Sequence, residues 1–323
     1  VRGAAASIAP WLQRTPLLRS PKLDALAGGM VWLKAESLQL TGSFKARGAL
    51  NALLALAPAQ RARGVIAYST GNHGQAIAWA ASLLGVPAAI VMPHDAPANK
   101  IARAKAHGAR VVHYDRRHQS REQIGMRLLQ ELGGTLIPPG DHPDVIAGQG
   151  TVALEAMNQL PPEVLPELRA FLAPCGGGGL VAGCGLVLQA LSPHTRICAV
   201  EPAGFDDTVR SLASGERQAN LPGAASRCDA LQAATPAELP FEINRNLVDR
   251  ACAVTEAEVA DAVRYAAEEL RLVVEPGGAV ALAAVLAGRV DLEAGHGIVV
   301  LSGGNIDAGL LAQLLAGDDA RRG

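Results

Sequence analysis

Short apolar runs recur at 65–68, 88–91, 110–114, 170–173, 197–200 and 297–301, and stretches with helical periodicity lie between them. Strands this short, each followed by a helix, leave few architectures open. Parallel pairing needs a crossover, a helix supplies it, and both faces of the sheet end up covered. The expected class is α/β, with parallel-rich sheets and flanking helices over 74–84, 97–106, 121–132 and 256–270 and from about position 180. Aromatics make up only 3% while Ala and Gly abound, so the core must pack small aliphatic side chains, as helices on a parallel sheet do. Residues 64–141 form a compact run of strand–helix units between glycine-rich turns. That is the pattern of a small domain inserted into a larger one built from 1–63 and 142–323. Pro161-Pro162 and 221–240 read as surface loops.

Bulk properties exclude several functions. With 49% hydrophobic and 18% charged residues, the 323-residue chain buries a large core and is not disordered. A formal net charge of −1 and the lack of a basic stripe argue against nucleic acid and acidic membranes as partners. The five cysteines, Cys175, Cys184, Cys198, Cys228 and Cys252, are odd in number and show no CxxC spacing. This speaks against a disulfide framework and structural zinc, and for a reducing compartment. With neither a secretory leader nor a membrane-spanning run in view, the expectation is a soluble cytoplasmic protein.

Only five lysines occur, none beyond position 105, while arginine is used throughout. Against that preference Lys45 stands out, because its amine deprotonates and forms an imine and a guanidinium does not. It follows Thr41-Gly42-Ser43-Phe44, where Gly-Ser reads as a turn into a helix with Ser43 as N-cap and phosphate ligand. Taken alone, a lysine near a helix start is usually solvated. Cys175-Gly176-Gly177-Gly178-Gly179-Leu180 follows a strand and opens a helix, so its amides can converge on a phosphate; an ordinary turn is the plain alternative. No acidic residue ends a following strand at the distance a dinucleotide fingerprint requires. Ser69-Thr70-Gly71-Asn72-His73-Gly74 is a polar strand-to-helix turn. Glu201 and Asp207, with a backbone carbonyl near Phe205 between them, offer hard oxygen ligands suited to Mg²⁺, Mn²⁺ or Ca²⁺. A solvated acidic loop is the competing reading.

Lys34-Ala35-Glu36-Ser37-Leu38-Gln39 followed by Thr41-Gly42-Ser43-Phe44-Lys45 resembles the cofactor-lysine signature of fold-type II pyridoxal-phosphate (PLP) enzymes. This is the tryptophan-synthase-β-like group with the serine/threonine dehydratases and serine racemase. The resemblance runs from about Pro16 to Asp307. It implies a two-domain fold, PLP held by Lys45 as a Schiff base, Phe44 against the pyridine ring, and Gly176, Gly177, Gly178 and Gly179 around the phosphate. It also implies Asn72 on the phenolic oxygen, Ser302 of Leu301-Ser302-Gly303-Gly304-Asn305 on the pyridine nitrogen, and Glu275 near the ring. Ser69, Thr70, His73, Arg121 and Gly140 are implied at the substrate, and Glu201, Phe205 and Asp207 at a divalent cation.

Three positions bear on chemistry, two of them departures from the family pattern. Serine racemases carry Ser where this chain has Thr70, which favours elimination over racemisation. Having His73 directly after Asn72 matches dehydratases and racemases, where β-replacement enzymes typically have Thr. Relatives usually carry Phe or Asn where Gly140 stands, which leaves room for a bulkier substrate. The resemblance thus implies a dehydratase that turns a β-hydroxy amino acid such as threonine or serine into a 2-keto acid and ammonia, in a homodimer without a C-terminal regulatory domain. An amino-acid racemase on the same scaffold, and a non-catalytic α/β small-molecule-binding protein, are the alternatives.

Overall fold

The computed structural model describes residues 1–69, 71–96, 98–115 and 118–317, with backbone alone at 98, 99, 121 and 122. Within these residues the strands are β1 (Leu17–Arg19), β2 (Met30–Ala35), β3 (Val65–Tyr68), β4 (Ala88–Pro93), β5 (Arg110–Tyr114), β6 (Thr135–Leu136), β7 (Leu168–Pro174), β8 (Arg196–Pro202), β9 (Arg250–Val254) and β10 (His296–Leu301). They form a six-stranded sheet in the order β1-β2-β10-β7-β8-β9 and a four-stranded sheet in the order β5-β4-β3-β6. Every pairing is parallel except the edge pair β1–β2. The central strands β7, β8 and β10 read as nearly unbroken apolar runs because helices cover them on both faces.

One covering helix, Pro276–Leu286 (PGGAVALAAVL), is apolar all round and buried from Pro276 to Val285. It lies between the six-stranded sheet and the helix Glu256–Glu268. The helices Lys45–Ala55, Pro143–Gln159 and Gly179–Leu191 pack against one another in series. Lys45–Ala55 also packs on the helix Asn72–Leu84, which covers β3 and β4, and Leu50, Leu53, Ile77 and Ile90 share one buried cluster. The start of the Lys45 helix is thereby held between the two sheets. The loops after β3, β7, β8 and β10 leave from the carboxyl ends of parallel strands, where open α/β sheets place their ligands.

Several sequence expectations need correction. Ser43 does not cap the helix: it is extended (φ −163°), pairs with Gly303 and leaves Phe44 at the N-cap. The end of β10 offers Ser43 a strand partner, and pairing wins over capping. The helix expected from 74 starts at Asn72, and the stretch 221–240 contains the 3-10 turn Asp229–Leu231 and the start of the helix Glu238–Leu247. A 3-10 helix, Pro162–Glu167, follows Pro161. Among the described residues no helix is long and apolar enough to cross a membrane.

Candidate active site

Lys45 is the first residue of its helix and is pinned from behind. The Phe44 N–H donates to the Ser302 carbonyl (3.1 Å), so the lysine sits against the end of β10. Its Nζ donates to the Pro139 carbonyl (2.7 Å) and lies 5.1 Å from the Phe44 ring centre. No carboxylate among the described residues pairs with it. Burial without a counter-charge pushes its pKa down to about 8. At pH 7 roughly one amine in ten is then neutral, against fewer than one in a thousand for a free lysine.

The same stretch of chain holds His73. Its Nε2 donates to the Ile137 carbonyl (2.8 Å), two residues before Pro139. This leaves Nδ1 as a bare acceptor, buried and without a partner. Burial, the charge of Lys45 and, less, that of His142 push the imidazole down to about 3, so it is neutral at any working pH. Before His73, the Gly71 N–H donates to Ser69 Oγ (3.2 Å). Thr70 lies outside the described residues, as does the side chain of Arg121 at the start of the helix Arg121–Leu132.

Asn72 is fixed on both sides. Its Oδ1 accepts from Asn305 Nδ2 (2.8 Å), which also donates to the Thr41 carbonyl (2.7 Å), and its own Nδ2 donates to Glu275 Oε1 (2.5 Å). An amide has two N–H bonds and Glu275 uses one, so one is left for a ligand. Burial and, less, Asp229 push Glu275 up to about 7. Gly303 must lack a side chain here, because a Cβ would stand 2.2 Å from Glu275 Oε1. Sequence reading had placed Asn305 in a motif without giving it a role.

After β7, Gly178 takes a left-handed conformation (φ +89°) and the helix Gly179–Leu191 begins. Gly178 and Gly179 are buried, yet their N–H groups donate to nothing among the described residues. Buried unpaired amides at the positive end of a 13-residue helix form an anion cradle. Gly140 faces this loop: a Cβ there would lie 3.8 Å from the Gly179 nitrogen, an ordinary contact. Gly140 therefore adjoins the glycine loop, and Pro139 before it holds Lys45.

Glu201 and Asp207 are fully buried, so they do not belong to a solvated acidic loop. Glu201 accepts from the N–H groups of Thr208 (3.0 Å) and Val209 (2.9 Å). Asp207 Oδ1 accepts from Asn220 (2.6 Å), while Oδ2 has no partner. Burial and the charge of Asp207 push Glu201 up to about 8, and burial pushes Asp207 up to about 6. Phe205 lies in the turn between them, its N–H on the Pro202 carbonyl (2.8 Å). Among the described residues no third His, Cys, Asp or Glu side chain joins the pair.

The model of the family described as "pyridoxal-phosphate dependent enzyme" matches residues 8–304. The chain belongs to this family. Among its relatives is the L-threo-3-hydroxyaspartate ammonia-lyase of Saccharomyces cerevisiae, 41% identical over 320 residues, covering 99% of this chain and 96% of the relative. The enzyme of that name from a Pseudomonas species is 42% identical over 314 residues, covering 97% of each chain. The structure of maize serine racemase superposes with a TM-score of 0.90 at 38% identity, covering 98% of this chain and 96% of that one. The fold is that of the fold-type II PLP enzymes.

The residues in place suit the cofactor. A buried amine with a lowered pKa is ready for an aldehyde, and two free buried amides await a phosphate. Ser43 Oγ and His73 Nδ1 are buried polar atoms still without partners. The structure brings Lys45, Phe44, His73, Gly140 and the glycine loop together through the 137–140 segment, and joins Asn72 to Glu275.

Proposed function

We propose that this PLP-dependent enzyme is an ammonia-lyase acting on small β-hydroxy amino acids. The observation that carries this reading is the buried Lys45 amine, which among the described residues donates to the Pro139 carbonyl, next to the Gly140 that adjoins a cradle of glycine amides. The relatives' names give the reaction class. When bound, the cofactor supplies an aldehyde and a ring that draws electron density from the substrate Cα.

The chain's own residues do the rest. Lys45 holds the cofactor, and its freed amine takes the Cα proton; a pKa of about 8 suits both steps near neutral pH. Gly176, Gly177, Gly178 and Gly179 hold the phosphate, the spare Asn72 N–H reaches the phenolic oxygen, and Phe44 packs on the ring. The Ser302 hydroxyl meets the pyridine nitrogen. A neutral hydroxyl does not keep that nitrogen protonated as a carboxylate would, which favours loss of a β-leaving group over transamination. Ser69, Thr70 and Arg121 hold the substrate carboxylate, and His73, being neutral, adds no charge there. The β-hydroxyl leaves as water, and hydrolysis of the enamine releases ammonia and a 2-keto acid without net oxidation or reduction. Gly140 leaves space for a larger β-substituent, so L-threo-3-hydroxyaspartate joins serine and threonine as a candidate substrate.

Residues 64–141 form the small domain in this reading, with 1–63 and 142–323 as the large one. The homodimer comes from the resemblance, whereas the cytoplasmic location rests on cysteine usage, to which five buried free cysteines add support for a reducing compartment. A keto-acid release screen over serine, threonine and L-threo-3-hydroxyaspartate tests the function: at least one is expected to turn over with stoichiometric ammonia. The likeness to maize serine racemase favours racemisation as the second reading. D-isomer formed without keto acid would establish it in place of elimination.

Glu201, Asp207 and the Phe205 carbonyl hold a divalent cation (Mg²⁺, Mn²⁺ or Ca²⁺) in the same reading, which answers the orphaned Asp207 Oδ2. Adding Mg²⁺ or Ca²⁺ at about 100 times its dissociation constant to chelator-treated protein should stabilise it by about 2.7 kcal/mol. For a chain of 323 residues that is a rise in Tm of roughly 4 °C. The rise should vanish in Glu201→Gln, and an equal rise in that variant would move the cation elsewhere.

A further inference from the structure

We infer that Asn244, on the helix Glu238–Leu247, is a positioning residue for the cofactor phosphate. Two carbonyls of the glycine loop are held from outside by this one helix and its lead-in. The Ala237 N–H donates to the Gly177 carbonyl (3.2 Å), and Asn244 Nδ2 is a second donor to the Gly178 carbonyl (3.2 Å), beside the helical N–H of Ala182 (2.9 Å). A trans peptide points its C=O and the next N–H in opposite directions. Fixing the Gly177 carbonyl therefore turns the Gly178 N–H inward, and fixing the Gly178 carbonyl turns the Gly179 N–H inward. These are the two buried amides that donate to nothing else. The grip is tight: a Cβ on Gly178 would come within 2.8 Å of Asn244 Nδ2.

Packing alone does not explain an asparagine at this position. Asn244 is 2% exposed and its Oδ1 has no partner. Asn is also a poor helix-interior residue that competes for backbone hydrogen bonds. A leucine of similar shape would fill the space without an orphaned acceptor, so the amide stays for the bond it makes to Gly178. The same helix is tied to the other wall of the site, since the Leu239 N–H donates to Asp141 Oδ1 (2.9 Å), next to Gly140. Asn244 thus presets the cradle before any phosphate arrives, which lowers the ordering cost of binding.

This inference rests on the glycine loop being the phosphate site. The test titrates protein stripped of cofactor with PLP and, separately, with pyridoxal, which lacks the phosphate. For Asn244→Leu the dissociation constant for PLP should rise about tenfold, the loss of roughly one preorganising hydrogen bond, while that for pyridoxal stays unchanged. Asn244→Asp removes the donor and sets a carboxylate beside the loop. It should weaken PLP further and again spare pyridoxal, and it serves if the leucine variant does not fold. An unchanged PLP constant, or an equal loss for both vitamers, would overturn the assignment of Asn244. Gly177→Val separates the two levels. If it weakens PLP selectively while the Asn244 variants do not, the loop reading stands and this inference fails. If none of the variants discriminates between the vitamers, the loop reading fails and takes the inference with it.

Discussion

Lys45→Ala is expected to lower keto-acid release on the order of 10⁴-fold or more, because one side chain both holds the cofactor and moves the Cα proton. The fold should survive. Among the described residues the amine makes no ion pair, and truncation leaves the Pro139 carbonyl short of a donor, a cost of about 1–3 kcal/mol. Circular dichroism melts beside steady-state rates separate loss of chemistry from loss of structure. Residual turnover above about a hundredth of wild type, the most that loss of a general base leaves, would remove Lys45 from the reaction. The lowered pKa adds a pH signature to wild type. Covalent uptake of PLP by cofactor-free protein needs the neutral amine, so its rate should rise with pH through a midpoint near 8 and level off about one pH unit higher. Continued increase toward the ordinary lysine range above 10 would show a solvated amine instead.

Arg47→Met is expected to cost about 3–5 kcal/mol of folding stability, with Tm falling by roughly 4–7 °C. Arg47, two residues on from Lys45 and on the opposite side of the same helix, donates to both oxygens of Glu36 (2.8 Å each) and to both of Glu155 (3.0 and 3.2 Å). Lys34 Nζ closes the cluster on Glu155 Oε1 (2.6 Å), the Thr15 carbonyl (2.8 Å) and Gln159 Oε1 (2.8 Å). Arg47 is 2% exposed and Glu36 0%, so removing the guanidinium strands a carboxylate out of water. The pair need not be worth much against apolar isosteres; breaking one half is what costs. Adding Glu36→Gln to Arg47→Met should therefore recover part of the loss. A double-mutant cycle by urea unfolding reads that coupling. A single-variant loss below about 1 kcal/mol, the range of an exposed pair, would contradict the buried-network description.

Local features of the chain were legible from sequence, and contacts across it were not. The runs at 65–68 and 110–114 coincide with β3 and β5, because apolar periodicity and strand length agree there. Lys45 and the glycine loop stand out because residue type and spacing carry their chemistry. The strands β1, β2, β6 and β9 went unread; β1 and β6 are three and two residues long, and the lysine inside β2 is neutralised by Glu155 from a distant helix. Ser43 looked like a cap because its partner, Gly303, lies at the far end of the chain. The same distance hides the hold of Asn305 on Asn72, of Pro139 on Lys45 and of Asn244 on Gly178. For Glu201 and Asp207 a solvated loop stayed open beside the cation reading, since a sequence does not display burial.

The most direct measurement is borohydride reduction of the purified protein incubated with PLP, followed by peptide mass mapping. Loss of the visible band and one reduced pyridoxyl adduct, on the peptide carrying Lys45, is the expected result. An adduct on Lys34 or another lysine, or none at all, would contradict the assignment of Lys45 as the residue that carries the cofactor.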